Sequence, residues 1–128
     1  MTSAAAARAS YDTSLDDRRV LVVGAGTRKT DDPDAPPGNG RAMALIAARA
    51  GARVACLDID AQAADDTRQL IEDHGGTAVA LTGDASDEAS SEAAVREAAE
   101  ALGGLDGLVL NVGIALGQGL ATDSQDFD

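Results

Sequence analysis

Aromatic residues are nearly missing from this chain. Tyr11 and Phe127 are the only two, one near each end, and tryptophan is absent. A surface that stacks single-stranded nucleic acid needs several rings, so that role is excluded, and a core must be assembled from Ala, Val, Leu and Ile. Basic residues are also scarce: ten Lys and Arg stand against 22 Asp and Glu, a formal net charge of −12, with no basic run. A chain without clustered cations neither displaces counterions from nucleic acid nor docks on an anionic membrane. No apolar stretch reaches the ~18 residues of a bilayer span. The Ala-rich start, Met1 to Ser10, lacks the basic and apolar regions of a signal peptide. Cysteine is limited to Cys56, which excludes an intrachain disulfide and fits a reducing compartment, so the cytoplasm is the expected location. Its apolar neighbours make Cys56 a small buried hydrophobe, not a reactive thiol. One cysteine and one histidine, His74, do not make a Cys/His metal site. His74 reads as a surface residue beside a helix C-terminus.

What is present is an alternation. The 128 residues suit one domain. Residues 1–17 are small and polar without a period and read as a loosely held tail. Val20 to Val23 is a β-branched apolar run ended by Gly24, the mark of a strand buried on both faces. Residues 27–37 form a polar loop holding all three prolines, Pro33, Pro36 and Pro37, which exclude a helix or central strand there. Arg41 to Ala50 reads as a helix stopped by Gly51. Val54 to Leu57 is a second strand ending in Asp58. Asp60 can cap a helix over Ala61 to Asp73. Ala78 to Leu81 is a third strand. Ser86 or Asp87 caps a helix to Leu102, with Val95, Ala98 and Leu102 on one face. Leu108 to Leu110 is a fourth strand. Strands alternating with helices pair in parallel through right-handed crossovers. The expected fold is therefore α/β, a Rossmann-type doubly wound parallel sheet with strand order 3-2-1-4. The first two helices should cover one face and the third the other.

Chemistry is expected where strands end. The turn after the first strand carries Gly24 and Gly26, then Gly38, Asn39 and Gly40, and leads into a helix. Glycines there permit a sharp turn, close approach of backbone to a pyrophosphate, and tight helix–strand packing. The free N–H groups and positive dipole end of the helix then face the phosphates. Asp58, followed by Ile59, ends the second strand 18 residues after Gly40. A carboxylate there accepts hydrogen bonds from ribose hydroxyls and repels a 2′-phosphate, which favours NAD over NADP. Arg28 and Lys29 are the cations that would oppose this preference. Gly83-Asp84-Ala85 and Asn111-Val112-Gly113 follow the third and fourth strands, where open α/β sheets bind ligands.

Together these residues resemble the N-terminal half of the short-chain dehydrogenase/reductase family, from about Arg19 to Asp128. That family has Thr-Gly-x-x-x-Gly-x-Gly after the first strand, Asp and a small residue after the third, and Asn-Asn-Ala-Gly after the fourth. The counterparts are Val23-Gly24 with Gly38-Asn39-Gly40, then Asp84-Ala85, then Leu110-Asn111-Val112-Gly113. The resemblance implies a nicotinamide dinucleotide as cofactor. Gly24, Gly38 and Gly40 would cradle its pyrophosphate, Asp58 would hold the adenosine ribose, and Asp84 with the Ala85 backbone would meet the adenine. Asn111 and Gly113 would line the cleft. It also implies hydride transfer between cofactor and an alcohol or carbonyl substrate in a complete parent, which would be a homo-oligomer.

Two differences from the family pattern stand out. Gly24 and Gly38 are 14 positions apart where the family has four, so about ten residues are inserted. The family's Ser and Tyr-x-x-x-Lys are missing: Tyr11 is the only tyrosine and Lys29 the only lysine, 18 positions apart. No group for general acid–base catalysis is therefore in place. Thr122 and Gln125 fit a capping box, so a helix is expected to begin close to the last residue, and the chain reads as an N-terminal part without its catalytic half. Two other classes fit parts of the pattern. One is a non-catalytic nucleotide-binding or interaction remnant, with an open fourth strand and an apolar face inviting association. The other is half of an S-adenosylmethionine-dependent methyltransferase, which would also use a Gly-rich turn and an acid after the second strand. Val22-Val23 stand where that class usually has an acid.

Overall fold

The computed structural model describes residues 13–28 and 30–112. The elements are β1 (Arg19–Val23), α1 (Asn39–Arg49), β2 (Arg53–Asp58), α2 (Ala61–Asp73), β3 (Thr77–Thr82), α3 (Glu88–Leu102) and β4 (Gly107–Leu110). Lys29, Gly113 and the Thr122–Gln125 cap lie outside the described residues, as does the chain before residue 13.

The four strands form one sheet in the order β3-β2-β1-β4, all pairs parallel. This is the expected doubly wound arrangement. Successive side chains on a strand face opposite ways, so each inner strand feeds two cores. Val20 and Val22 of β1 join Val54 and Cys56 of β2 in one layer, against Ala44 and Ala47 of α1 and Ile71 of α2. Leu21 and Val23 join Ala55 and Leu57 in the other layer, against Ala94, Ala98 and Leu102 of α3. Alanine at the helix contacts brings helix backbones close to the sheet and explains how a core without aromatic rings fills. Among the described residues α3 is the helix that covers this face, and Leu108 and Leu110 of β4 are 53% and 67% exposed there.

Helix boundaries follow their end chemistry. The Asp60 carboxylate accepts from the N–H groups of Gln62 and Ala63 and starts α2. Asp87, rather than Ser86, starts α3 by accepting from Ser90 N–H. Gly103 ends α3 in the left-handed conformation, with φ 81°. α1 begins at Asn39, two residues earlier than its apolar run predicts, because Gly38 is still extended (ψ 160°) after the proline loop. His74 sits exposed at the C-terminal end of α2, with Nδ1 2.8 Å from the Leu70 carbonyl oxygen.

Two expectations are corrected. The loosely held stretch does not reach residue 17. Leu15 packs against the valine layer, its N–H donates to the Ala50 carbonyl, and Asp17 N–H donates to that of Gly51. One apolar residue among polar ones gave no period to read. The buried stripe of α3 is Ala94, Ala98 and Leu102, while Val95 is turned out and 44% exposed. In so Ala-rich a helix, steps of four between alanines set the face.

Candidate functional site

A cleft of about 850 Å3 opens across the C-terminal ends of all four strands, a size usual for ligand sites. It gathers residues at the end of each strand: Gly24 and Gly26 after β1, Asp58 closing β2 and Ile59 after it, Asp84 and Ala85 after β3, Asn111 and Val112 after β4. Gly38 and Asn39 at the start of α1 complete it. Ten of the twelve expected site residues thus line one space. Gly40 lies just behind the lining, and Gly113 is outside the described residues.

The glycine turn and the Asn111 turn interlock through missing side chains. A Cβ on Gly40 would strike the Gly24 carbonyl, and a Cβ on Gly24 would strike the Asn111 carbonyl. Gly24 also needs its positive φ of 80°. Asn111 donates from its side-chain amide to the Gly24 carbonyl at 3.3 Å and from its backbone to Val23 at 2.9 Å. α1 therefore presses its first turn directly onto the end of β1. Gly26 serves packing: its absent Cβ would meet Ala63 Cβ and Asp58 Oδ2.

The backbone donors divide sharply. Gly24 N–H and Ala25 N–H both donate to the Leu57 carbonyl at 2.9 Å. Gly26 N–H donates to Asp58 Oδ2 at 2.9 Å. These three groups are occupied by β2. At α1, Ala42 N–H makes the first helical bond, to Gly38 O, and Gly38 makes no side-chain cap. The N–H groups of Asn39, Gly40 and Arg41 have no intrahelical acceptor, and this end of the helix opens on the cleft. The arrangement fits an anion.

The inserted residues leave the turn and return to it at one point. Thr27 Oγ1 accepts from Gly38 N–H at 2.9 Å, so residues 28–37 form a loop closed at its neck. Within the loop, Asp34 N–H donates to Asp32 Oδ1 at 2.9 Å and Ala35 N–H to the Asp32 carbonyl at 3.2 Å.

On the far side, Asp58 Oδ1 accepts from Asp60 N–H at 3.0 Å while Oδ2 holds Gly26. The structural role of a strand-end aspartate and exposure to the cleft thus coexist, since each carboxylate oxygen has a second lone pair. Asp84 accepts from the Ser86 hydroxyl at 2.6 Å and Ser86 N–H at 2.9 Å, and its own N–H donates to Ser90 Oγ at 2.8 Å. The Ser86 hydroxyl, then its N–H, holds the Asp84 carboxyl below its ordinary range. Arg28, exposed at the mouth, is the one cation among the described lining residues; the carboxylates are Asp58, Asp60 and Asp84. Cys56 lies outside the cleft, fully buried, and burial pushes its thiol up to about 12.

Sequence reasoning missed Thr27 and Thr67. Thr67 carried a legible signal, as a polar residue on the buried stripe Ala63, Ala64, Thr67 and Ile71 of α2. Thr27 carried none, because its partner lies across the insertion.

Comparison with known proteins agrees with this architecture. The model of the family described as enoyl-(acyl carrier protein) reductase matches residues 35–128. An uncharacterized oxidoreductase of Escherichia coli, YghA, is 42% identical over 101 residues, covering 77% of this chain and 31% of that protein. The crystal structure of a short-chain dehydrogenase/reductase from Burkholderia xenovorans is 34% identical with TM-score 0.74, covering 88% of this chain and 43% of that one. A 7α-hydroxysteroid dehydrogenase, solved with NADH and 7-oxo glycochenodeoxycholic acid, is 31% identical with TM-score 0.76, covering 91% and 42%. The chain spans less than half the length of each of these relatives. With the glycine turn, Asp58, Asp84 and Asn111 all at one end of a 3-2-1-4 sheet, and with this family match, the chain belongs to the short-chain dehydrogenase/reductase family.

Proposed function

We propose that this chain binds a nicotinamide dinucleotide across the ends of its strands, NAD in preference to NADP. The observation that carries the reading is the uncapped N-terminus of α1 opening on the same cleft as the Asp58 carboxylate. The donors of Asn39, Gly40 and Arg41 would take the pyrophosphate, with Gly24 and Gly38 allowing its approach. Asp58, beside Ile59, would accept from the adenosine ribose hydroxyls. Asp84 and Ala85 would border the adenine, and Asn111 and Val112 the other end of the cleft.

Charge supports the preference for NAD. Among the described lining residues three carboxylates stand against Arg28, so a 2′-phosphate would meet a negative field. When bound, the nicotinamide ring accepts or supplies a hydride. No Tyr-x-x-x-Lys occurs in the 128 residues, so this chain's share of such a reaction is to bind and orient. Transfer between an alcohol and a carbonyl would belong to the whole protein. No helix among the described residues is long and apolar enough to cross a membrane.

The test is titration of the chain with NADH and NADPH, followed by nucleotide fluorescence and by melting temperature. Saturable NADH binding, weaker NADPH binding, and a loss of about tenfold or more in Asp58→Ala are expected. Absence of saturable binding by a cooperatively melting chain would overturn the reading. Equal or tighter NADPH binding would overturn the preference.

A further inference from the structure

Thr67 is the fully buried polar side chain of the described residues, at 0% exposure. It lies on α2, and its hydroxyl is not spent within the helix alone. The nearest acceptor of its hydrogen is the Ala25 carbonyl at 2.8 Å, with the helix carbonyl of Ala63 at 3.2 Å. Its oxygen accepts from Arg41 Nε at 2.9 Å. Arg41 stands in the first turn of α1, directly after Gly40, and its Nη2 reaches the Ala63 carbonyl at 3.4 Å. One hydroxyl therefore joins α1, α2 and the glycine turn.

The peptide unit between Ala25 and Gly26 is held at both poles. Its carbonyl is fixed by Thr67, and its N–H by Asp58 Oδ2 at 2.9 Å. This unit sits between Gly24 and Gly26, where the backbone has more conformations open to it than elsewhere. If the carbonyl loses its donor, a buried acceptor is left unpaired, which is costly. The unit can escape that cost only by turning, and turning withdraws the N–H from Asp58. The Asp58 carboxylate would then keep the bond from Asp60 N–H to Oδ1 and lose the one that aims Oδ2.

We propose that Thr67 is a positioning residue for nucleotide binding. Acting through the 25–26 peptide, it sets the orientation of the Asp58 carboxylate. The inference rests on the reading of the cleft as a dinucleotide site, and it assigns a part in recognition to a buried side chain of α2 that does not line the cleft. Arg41 supports it by supplying the hydrogen bond that keeps the Thr67 hydroxyl pointed at Ala25.

The experiment compares Thr67→Val, which keeps shape and removes the hydroxyl, with Thr67→Ser, which restores it. NADH affinity of the chain should fall about tenfold in T67V and stay within about twofold of wild type in T67S. In a double-mutant cycle, T67V should cost no further affinity once Asp58→Asn is present, because the carboxylate it positions is gone. A general loss of stability would instead weaken binding equally in both backgrounds. Amide hydrogen exchange without nucleotide gives a second readout: the Gly26 N–H should exchange faster in T67V and remain protected in T67S. Wild-type affinity in T67V, or additive losses in the cycle, would overturn the proposal. If the wild-type chain ignores NADH, the dinucleotide reading fails, and the proposal fails with it. The Gly26 exchange then separates the two faults, since faster exchange in T67V would still establish the clamp on the peptide.

Discussion

The two ends of the sheet are built to opposite purposes. At the ends where the strands begin, polar groups close on each other. Arg19 grips Asp106 through Nε at 2.9 Å and Nη2 at 3.0 Å, and reaches the Gly103 carbonyl with Nη1 at 2.7 Å. Its N–H also donates to Asp106, and Asp106 N–H donates back to the Arg19 carbonyl. At the ends where the strands finish, a cleft remains, and one helix terminus is left open. α2 and α3 receive aspartate caps there, and α1 receives none. Where the chain supplies its own carboxylate, a helix start is closed. Where it supplies glycine, the first-turn donors have no side-chain cap.

The largest expected effect comes from breaking the cleft end itself. In Gly40→Ala the new Cβ has no space beneath the Gly24 carbonyl, so α1 must withdraw from β1. Overpacking of this kind costs about 1–3 kcal/mol, and a displaced α1 should weaken NADH by about 100-fold or more. Urea denaturation and NADH titration measure the two effects separately. Wild-type affinity in G40A would show that close packing of α1 on the turn does not make the site.

A sharper form of the comparison gives α1 the cap its neighbours have. Gly38 has an ordinary φ of −64°, and a Cβ there would find its nearest neighbours at 3.4–3.6 Å, so a side chain fits. Gly38→Asp should stabilise the chain by a few tenths of a kcal/mol, the margin by which Asp caps better than Gly. The same carboxylate should occupy the donors that the proposal assigns to the pyrophosphate and lower NADH affinity by about tenfold or more. Asp87→Ala at α3 is the reverse experiment, expected to lose about 1 kcal/mol and leave affinity alone. If G38D gains stability and binds NADH as before, the open terminus is not the phosphate site.

This asymmetry was partly legible in the sequence. The strands announced themselves as short apolar runs, the first ended by Gly24 and the second by Asp58, and Asp60 could be read as a cap because its effect is local. The glycines at 24, 38 and 40 were legible as a turn despite the insertion, because the helix pattern resumed directly after them. What escaped depends on contacts between distant residues. Thr67 meets Ala25 across 42 positions, and Arg19 meets Asp106 across 87. Neither partner has a local pattern that names the other. The face of α3 escaped for a different reason. Alanine serves a buried and an exposed face nearly equally, so Val95 drew the stripe one residue away from its true line.

The smallest effect belongs to the closed end, and its dependence on pH distinguishes it from the cleft. Hydrogen bonds from the Arg19 side chain, then its N–H, hold the Asp106 carboxyl at about 2, below its ordinary 3.8. A carboxyl whose pKa is lowered by folding adds stability above the unfolded value and loses it as pH falls through the folded one. Asp106→Asn should therefore melt below wild type at neutral pH, keep that gap down to about pH 4, and lose it between about 4 and 2. The pair is partly solvated, with side-chain exposures of 34% and 25%, so the gap should be modest and shrink in high salt. NADH affinity at neutral pH should not change, because the pair lies at the opposite end of the sheet from the cleft. Thermal melts of both proteins across this pH range, paired with one NADH titration, check each part. A gap that persisted to pH 2 would mean that Asp106 contributes by shape and not by charge. A fall in affinity would mean that the two ends of the sheet are coupled through β1, the strand they share.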